Sequence, residues 1–480
     1  MHDIFKLSLN EIHKRLKNKE LDVKDLALYV LENIKKTEER VNAFITLRDE
    51  DEIIEEAEKF DASYPDYLKS PLSGIPVAIK DNISVKGMPL TCASRILLGY
   101  KAPYDATVVK KMREDNVLIM GKTNLDEFAM GSTGEYSYFG ATKNPLNIEY
   151  VPGGSSSGSA AAVAAGFAFY ALGSDTGGSV RLPAFYTGTV GFKPTYGRLS
   201  RYGLVAFASS LDQIGIIARN VEDVETVFER ISGHDELDST SYPKKPYSLK
   251  EREGLNVKSF ILGVPFDLVE RVKEEEIKKS LFDVIERFKS AGISVKEIKL
   301  PHAEYAVPAY QVISTSEASS NLSRYDGIRY GLREEGKDLM EIYFKTRGSG
   351  FGNEVKRRIL LGTFALSSGY YDAYYAQAQK VRRIIKNELD GVFENVDAII
   401  MPSAPQFPPK IGEGIKDPIS LYLLDMFTTL ANLAGIPAIS IPLSKRSEDG
   451  FALGFQIMTP AFSEGKLFAL SEFFERELDG

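Results

Sequence analysis

The stretch VPGGSSSGSAAAVAAGFAFYALGSDTGGSVRLPA, residues 151–184, places two glycine- and serine-rich loops on either side of a helix of small residues. The apolar part, residues 160–172, has 13 residues, fewer than the roughly 18 that a membrane span requires. In loops of this kind backbone N–H groups converge on one point, because glycine has no Cβ and adopts positive φ freely. We therefore predict a buried helix between two loops built to hold an anion.

Two common motifs do not fit these loops. A phosphate-binding P-loop needs a lysine just before its helix, and the chain has GSA at 158–160 instead. Residues 154–158 match the G-x-S-x-G pattern of serine hydrolases, but that pattern follows a strand, whereas Pro-Gly precedes it here. A serine nucleophile in these loops is expected to use a base other than histidine, since the four histidines lie elsewhere, at 2, 13, 234 and 302.

Helices and strands alternate around this segment, which predicts a layered α/β fold. Short apolar runs at 74–80, 116–121 and 397–402 are typical of buried strands, and an alternating run at 293–300 predicts another. The polar, proline-containing segment 233–254 indicates a loop and a candidate boundary.

Composition restricts the class of protein. The chain of 480 residues is 43% hydrophobic and 26% charged, enough to bury a large core, so disorder and fibres are excluded. A net charge of −8 argues against a protein that binds nucleic acid without a partner, because such binding needs a concentrated basic surface. A single cysteine, Cys92, excludes an internal disulfide framework and a cysteine-built metal site. With no secretory signal pattern at the N-terminus, we expect a cytoplasmic protein.

Lys80 ends the apolar strand predicted at 74–80. Successive strand residues point to opposite faces, so Lys80 can reach into the core while Asp81 points the other way. A lysine acts as a base when burial lowers its pKa from the usual value of about 10.4. A lysine at a strand end is more often solvated, and the strand alone does not decide between the two.

Three segments together resemble the amidase signature family. They are PVAIKDNI at 76–83, GGSSSGSAAAVAAG at 153–166 and GSDTGGSVRLPA at 173–184. The resemblance implies that Ser179 is the nucleophile, Ser155 a bridging serine held by a cis peptide bond and Lys80 the base. The separations of these residues, 75 and 24 positions, are also similar to those of the family. Implied as well is an oxyanion hole formed by backbone N–H groups of Thr176, Gly177 and Gly178.

The same resemblance implies the fold, an α/β amidase signature fold in which a large twisted mixed β-sheet is sandwiched between layers of α-helices. We expect a single amidase domain over residues 1–480. Its expected parts are N-terminal helices at 1–65, a signature core at 70–230, a helical and strand insertion at 255–345, and the C-terminal part of the core at 346–480.

Further segments, at 125–133, 200–215, 316–331 and 352–383, resemble the branch of the family that hydrolyses glutamine for tRNA-dependent amidotransferases. Glutamine carries an α-carboxylate and an α-ammonium, and each demands an opposite charge. The resemblance implies that the residues binding glutamine are Arg358 for the carboxylate, with Arg357 as the alternative, Asp425 for the ammonium, and Tyr310 and Met130 in the pocket.

The resemblance also implies a division of chemistry among subunits. The ammonia would convert Glu-tRNA(Gln) to Gln-tRNA(Gln), with Asp-tRNA(Asn) as a further acceptor that the sequence does not decide. The chain has no nucleotide motif and is expected to bind no cofactor or metal, so ATP and magnesium belong to a partner. That partner would be a tRNA-binding B subunit that phosphorylates the glutamyl end, joined by a small C subunit in a heterotrimer. Two alternatives stay open: a stand-alone amidase of small amides, and a catalytically silent scaffold.

Overall fold

One sheet of 11 strands organises the protein, whose computed structural model describes residues 4–413 and 418–479. The strands are β1 Phe44–Leu47, β2 Pro76–Lys80, β3 Leu118–Thr123, β4 Tyr170–Asp175, β5 Val190–Lys193, β6 Gln213–Ala218, β7 Ile261–Val264, β8 Ser294–Glu297, β9 Ala398–Met401, β10 Ala438–Arg446 and β11 Ala452–Met458.

The strand order across the sheet is β1-β3-β2-β4-β6-β5-β10-β11-β9-β7-β8. Strands β3, β2 and β4 are parallel neighbours, as are β9, β7 and β8, and the remaining pairs are antiparallel. The predicted α/β fold with a large mixed sheet is therefore confirmed.

Helices flank this sheet along its length. Helix α5 packs on β2, β3 and β4, α7 on β5 and β6, and α9 and α16 on β11. The helices are α1 Leu9–Lys17, α2 Val23–Val41, α3 Glu50–Ala62, α4 Thr107–Glu114, α5 Ser157–Ala164, α6 Arg181–Thr187, α7 Val221–Ile231, α8 Phe266–Val269, α9 Glu275–Ser290, α10 Ala306–Asn321, α11 Leu339–Gly350, α12 Asn353–Leu366, α13 Gln377–Val392, α14 Pro418–Leu423, α15 Thr429–Ala434 and α16 Glu464–Phe473.

The chain segments expected from the sequence all contribute to the one sheet. The segment 1–65, expected to be helical, also contains β1, which pairs antiparallel with β3. The segment 255–345, expected as an insertion, supplies β7 and β8, and β7 pairs with β9 from the C-terminal segment. This shared sheet supports our proposal of a single domain.

The parallel pair β2 and β4 positions the functional residues. Every residue of both strands is buried. The side chains on both faces pack against helices or against neighbouring parts of the sheet. Parallel neighbours end at the same edge of a sheet, which is where open α/β folds bind ligands. Lys80 ends β2 and Asp175 ends β4, so the two segments singled out in the sequence meet there.

Two features are absent from the described residues. No helix in the ranges 4–413 and 418–479 combines the length and apolar character needed to cross a bilayer. Within the same ranges, no group of three histidine, cysteine, aspartate or glutamate side chains is arranged to hold a metal ion.

Candidate active site

The Lys80 ammonium group is fully buried among serine hydroxyls. Its Nζ lies 2.8 Å from Ser155 Oγ, 2.9 Å from Ser156 Oγ and 2.8 Å from Ser174 Oγ. Asn82 Nδ2 donates to Ser174 Oγ at 2.9 Å. The structure thus brings together Lys80 and Ser155, and adds Ser156 and Ser174, which the sequence analysis did not single out.

Burial lowers the pKa of Lys80 to about 7, although the carboxylates of Asp126 and Asp175 act in the opposite direction. A lysine with such a pKa is neutral in a large fraction of molecules near pH 7, so it can accept a proton. Asp81 lies on the other face of the strand end, as predicted, where it pairs with Lys122 at 2.9 Å. Asp81 is therefore not the counterion of Lys80.

The Ser155 loop is held tightly against a neighbouring loop. The Gly154–Ser155 peptide bond is cis, as the family resemblance implies. Asp126 anchors the loop, because its N–H donates to the Ser155 carbonyl at 3.2 Å and its carboxylate accepts from Gly134 N–H. A Cβ on Gly154 would lie 2.0 Å from Asp126 Oδ2, so only glycine fits there.

Ser179 lies in the turn that joins β4 to α6. Its carbonyl accepts the Ser156 N–H at 3.1 Å, which joins the two glycine- and serine-rich loops. The side chain is nearly buried, and its hydroxyl makes no hydrogen bond to any other residue in the described ranges. The Ser179 hydroxyl is therefore free to meet a substrate.

Asp175 and Arg181 fix the shape of this turn. The Asp175 carboxylate accepts from Gly178 N–H at 2.9 Å and from Arg181 Nε at 3.1 Å. Burial alone would raise the pKa of Asp175, but the charges of Arg181 and Lys193 and the hydrogen bonds from Arg181 and Asn432 together outweigh it, and the pKa falls to about 2. Asp175 thus stays ionised, and the Gly178 N–H, expected in the oxyanion hole, is already donated to it.

The other backbone N–H groups of the turn remain available. Those of Thr176, Gly177 and Ser179 donate to no acceptor in the part of the chain that is described. Tyr310 packs directly on the turn, since a Cβ on Gly177 would lie 2.5 Å from its ring. Of the three N–H groups expected in the oxyanion hole, those of Thr176 and Gly177 are thus unpaired among the described residues, and so is that of Ser179.

Asp425 lies just after α14 and is nearly buried. Its Oδ2 accepts the Ser132 hydroxyl at 2.7 Å. Burial raises the pKa of Asp425 to about 7, opposed by the Ser132 hydrogen bond and the charge of Arg358. Tyr310 packs on Gly177, and Thr428, three residues after Asp425, donates its hydroxyl to the Gly177 carbonyl at 2.7 Å, so Asp425 and Tyr310 both lie near the turn. Arg358 interacts electrostatically with both residues. The segment that leads to Asp425 begins at residue 417, outside the described residues.

Arg358, on α12, is 4% exposed. Its Nε donates to Glu354 at 2.8 Å, and its guanidinium carbon lies 5.7 Å from the Phe207 ring centre and 5.5 Å from that of Tyr422. The two terminal nitrogens, Nη1 and Nη2, donate to no acceptor within the described residues. They are the atoms with which an arginine binds a carboxylate.

The alternative arginine, Arg357, lies on a different side of the helix. Its side chain is 41% exposed and lines a cavity of about 500 Å³ together with Tyr136 and Glu354. Met130 is fully buried in the loop that also carries Ser132, so this loop reaches the space beside Asp425. The burial of Arg358 and its electrostatic interaction with Asp425 and Tyr310 favour Arg358 over Arg357.

Two contact residues of the site lay outside the sequence prediction. No sequence pattern marks Ser132, because its hydrogen-bond partner Asp425 lies 293 residues away in the chain. Glu354 does carry a signal, since glutamate four residues before arginine on a helix is a common ion-pair spacing. A search for such pairs around Arg358 would have found it.

Fold and site define a class of protein: an enzyme with a buried lysine among serine hydroxyls at the edge of a mixed sheet. The family model described as Amidase matches residues 25–468. The chain therefore belongs to the amidase family.

Relatives of known name resemble the chain over nearly its whole length. The A subunit of the glutamyl-tRNA(Gln) amidotransferase of Thermodesulfovibrio yellowstonii is 49% identical, over 99% of this chain and 98% of its own. The crystal structure of the protein of the same name from Thermotoga maritima is 45% identical, with a TM-score of 0.82 over 98% of this chain and 95% of that one. The crystal structure of a protein named as an amidase is 28% identical, with a TM-score of 0.81 over 98% and 99% of the two chains.

Proposed function

We propose that this protein hydrolyses glutamine and supplies the ammonia to a glutamyl-tRNA(Gln) amidotransferase. The observation that carries the proposal is the pair of buried opposite charges, Arg358 and Asp425, around Tyr310 and beside the Ser179 turn. An amidase of simple amides has little use for both charges, whereas glutamine has an α-carboxylate and an α-ammonium. The relatives named as A subunits of this amidotransferase resemble the chain over nearly its full length, which supports the same substrate.

The first half of the reaction forms an ester on Ser179. Neutral Lys80 accepts the proton of Ser155, and Ser155 takes the proton of Ser179 as the Ser179 Oγ attacks the amide carbon. The N–H groups of Thr176, Gly177 and Ser179 donate to the oxygen that becomes negative. A single such donor typically contributes about 10²–10³ in rate.

The second half releases both products. As the tetrahedral intermediate collapses, Ser155 gives a proton to the leaving nitrogen and regains one from the Lys80 ammonium, so the C–N bond breaks, ammonia departs and Lys80 is neutral again. A water molecule then loses its proton through Ser155 to Lys80 and attacks the ester, which frees glutamate and restores the Ser179 hydroxyl. One glutamine and one water thus give one glutamate and one ammonia.

Glutamine is held by its two charged groups. The Nη1 and Nη2 atoms of Arg358 bind the α-carboxylate as a fork, and the Asp425 carboxylate binds the α-ammonium. Tyr310, which packs on Gly177, closes the space between these charges and the turn, and Met130 supports the loop of Ser132. These contacts place the side-chain amide of glutamine over Ser179.

The ammonia is used by other subunits of a cytoplasmic complex. A B subunit binds tRNA, and with ATP and magnesium it phosphorylates the glutamyl end of Glu-tRNA(Gln), or the aspartyl end of Asp-tRNA(Asn). A small C subunit holds the heterotrimer together.

The test measures ammonia release from glutamine and from simple aliphatic amides by the protein purified with its partner subunits. We expect glutamine to be hydrolysed far faster than unsubstituted aliphatic amides, and a loss of at least about 10³-fold in Ser179→Ala, because the nucleophile is removed. Ser323→Ala, in an exposed serine, is the matched control and should keep full activity. Turnover of simple amides without glutamine would favour the stand-alone amidase, and an active Ser179→Ala would refute the nucleophile.

A further inference from the structure

Glu354 is a buried carboxylate on α12 that has no role in the steps described above. It is 3% exposed, and its Oε1 accepts the Arg358 Nε at 2.8 Å and the Tyr422 hydroxyl at 3.2 Å. Its other oxygen, Oε2, lies 2.9 Å from Arg357 Nη1. One carboxylate therefore contacts both adjacent arginines and a ring that packs on one of them.

These contacts restrict how Arg358 can present its guanidinium. A guanidinium binds a carboxylate either through Nε and one Nη or through both Nη atoms. Because Glu354 occupies Nε, only the edge formed by Nη1 and Nη2 remains for a ligand. The rings of Phe207 and Tyr422, at 5.7 and 5.5 Å from the guanidinium carbon, restrict rotation out of that plane.

We infer that Glu354 is a positioning residue that orients Arg358 so that its Nη edge receives the α-carboxylate of glutamine. The inference rests on the function proposed above. Glu354 does not touch the substrate and lies at the Nε edge of the guanidinium, away from the position of the bound carboxylate. Its negative charge also offsets that of the buried Arg358 in the empty site, where an unpaired charge is strongly disfavoured.

Orientation and charge predict opposite results for two small substitutions. Glu354→Gln removes the charge but keeps an oxygen that can accept from Nε. Glu354→Asp keeps the charge but withdraws the carboxylate by one methylene. If orientation is the role, KM for glutamine stays within about threefold in Glu354→Gln and rises about tenfold or more in Glu354→Asp, with kcat within about threefold in both.

A second substrate separates positioning from a general loss of structure. The probe is 4-aminobutanamide, which is glutamine without the α-carboxylate. Glu354→Asp should leave kcat/KM for this amide within about threefold of the wild type, because Arg358 has no carboxylate to bind. Lys356→Ala, in the neighbouring half-buried lysine of the same helix, is the control variant and should change kcat/KM for neither substrate.

Several outcomes would overturn the inference. One is a raised KM in Glu354→Gln with an unchanged KM in Glu354→Asp, which would make charge the role. Another is an equal loss for glutamine and 4-aminobutanamide, which would make Glu354 merely structural. Thermal unfolding of each variant, purified with its partners, identifies a failure to fold. A wild type that does not hydrolyse glutamine refutes the proposed function instead, so the two failures are distinguishable.

Discussion

Raising the pH from 6 to 8 should increase the rate of glutamine hydrolysis, because the base is a lysine with a pKa of about 7. The proposed reaction needs neutral Lys80 to accept a proton from Ser155. The reference is a lysine with the ordinary pKa of 10.5, which is less than about 0.1% neutral at pH 7. Burial of Lys80 therefore increases its reactive fraction about a thousandfold at that pH.

The size of the effect follows from this titration. With a pKa of about 7, Lys80 is about 10% neutral at pH 6 and about 90% neutral at pH 8. The value of kcat should therefore rise about tenfold between these two pH values and level off above them.

Asp425 adds a second titration, which acts on binding. Burial raises its pKa to about 7, so the carboxylate that binds the α-ammonium becomes ionised over the same range. Since only the ionised form attracts the ammonium, KM should fall as pH rises. Together the two groups should raise kcat/KM by up to about a hundredfold from pH 6 to 8.

The assay is steady-state ammonia release at constant ionic strength from pH 5.5 to 9, with kcat and KM fitted separately. Asp425→Asn serves as the comparison, because it should abolish the fall in KM with pH and keep the tenfold rise in kcat. A kcat that is constant between pH 6 and 8, or that rises only near pH 10, would refute a buried lysine as the base.

Two further variants test the turn that carries Ser179 and the free-energy cost of burying Lys80. Gly178→Ala should lower kcat about 10²-fold or more. The new Cβ would lie 2.1 Å from Thr428 Oγ1, at a residue whose φ is +135°, and would displace the turn that carries Ser179. A kcat within about threefold of the wild type would contradict this. Lys80→Met should reduce the pH dependence of stability. In the wild type the cost of burying the ammonium is present in full below about pH 7 and disappears as the pH rises to 10.5, so the free energy of unfolding should gain about 2 kcal/mol from pH 7 to 9. Denaturant unfolding at both pH values measures this gain, and an equal gain in Lys80→Met would assign it to other groups.

The parts of the fold that could be predicted are those with local signals. The ends of β2 and β4 and the buried helix α5 follow from apolar runs and small residues next to glycine-rich turns. Strands β5 and β6 were not foreseen, although they lie at the centre of the sheet. Strand β5 has four residues, contains a glycine and pairs with the distant strand β10. Strand β6 does have a local signal, the apolar residues at 214–218, which the sequence analysis did not use.

The catalytic centre and the substrate site differ in how far sequence reasoning reaches. Because side chains alternate along a strand, Lys80 and Asp81 were predicted to point to opposite faces, and they do so in the structure. The hydrogen bond from Gly178 N–H to the Asp175 carboxylate could not be predicted from the sequence, because it depends on the geometry of the turn. The approach of α12 and of Asp425 to the turn depends on tertiary packing, and only the family resemblance indicated Arg358 and Asp425.

The order of the sheet has a consequence for how such enzymes diversify. In the proposed mechanism, the proton relay and the nucleophile lie within residues 80–179, at the ends of parallel strands and in the loops beside them, whereas the charges around the substrate come from α12 and from the turn after α14. Substitutions in the later half can therefore exchange one amide for another while the bond-breaking chemistry is inherited unchanged. New substrate preferences should arise in this architecture by replacing two buried charges, a far shorter mutational route than rebuilding the relay itself.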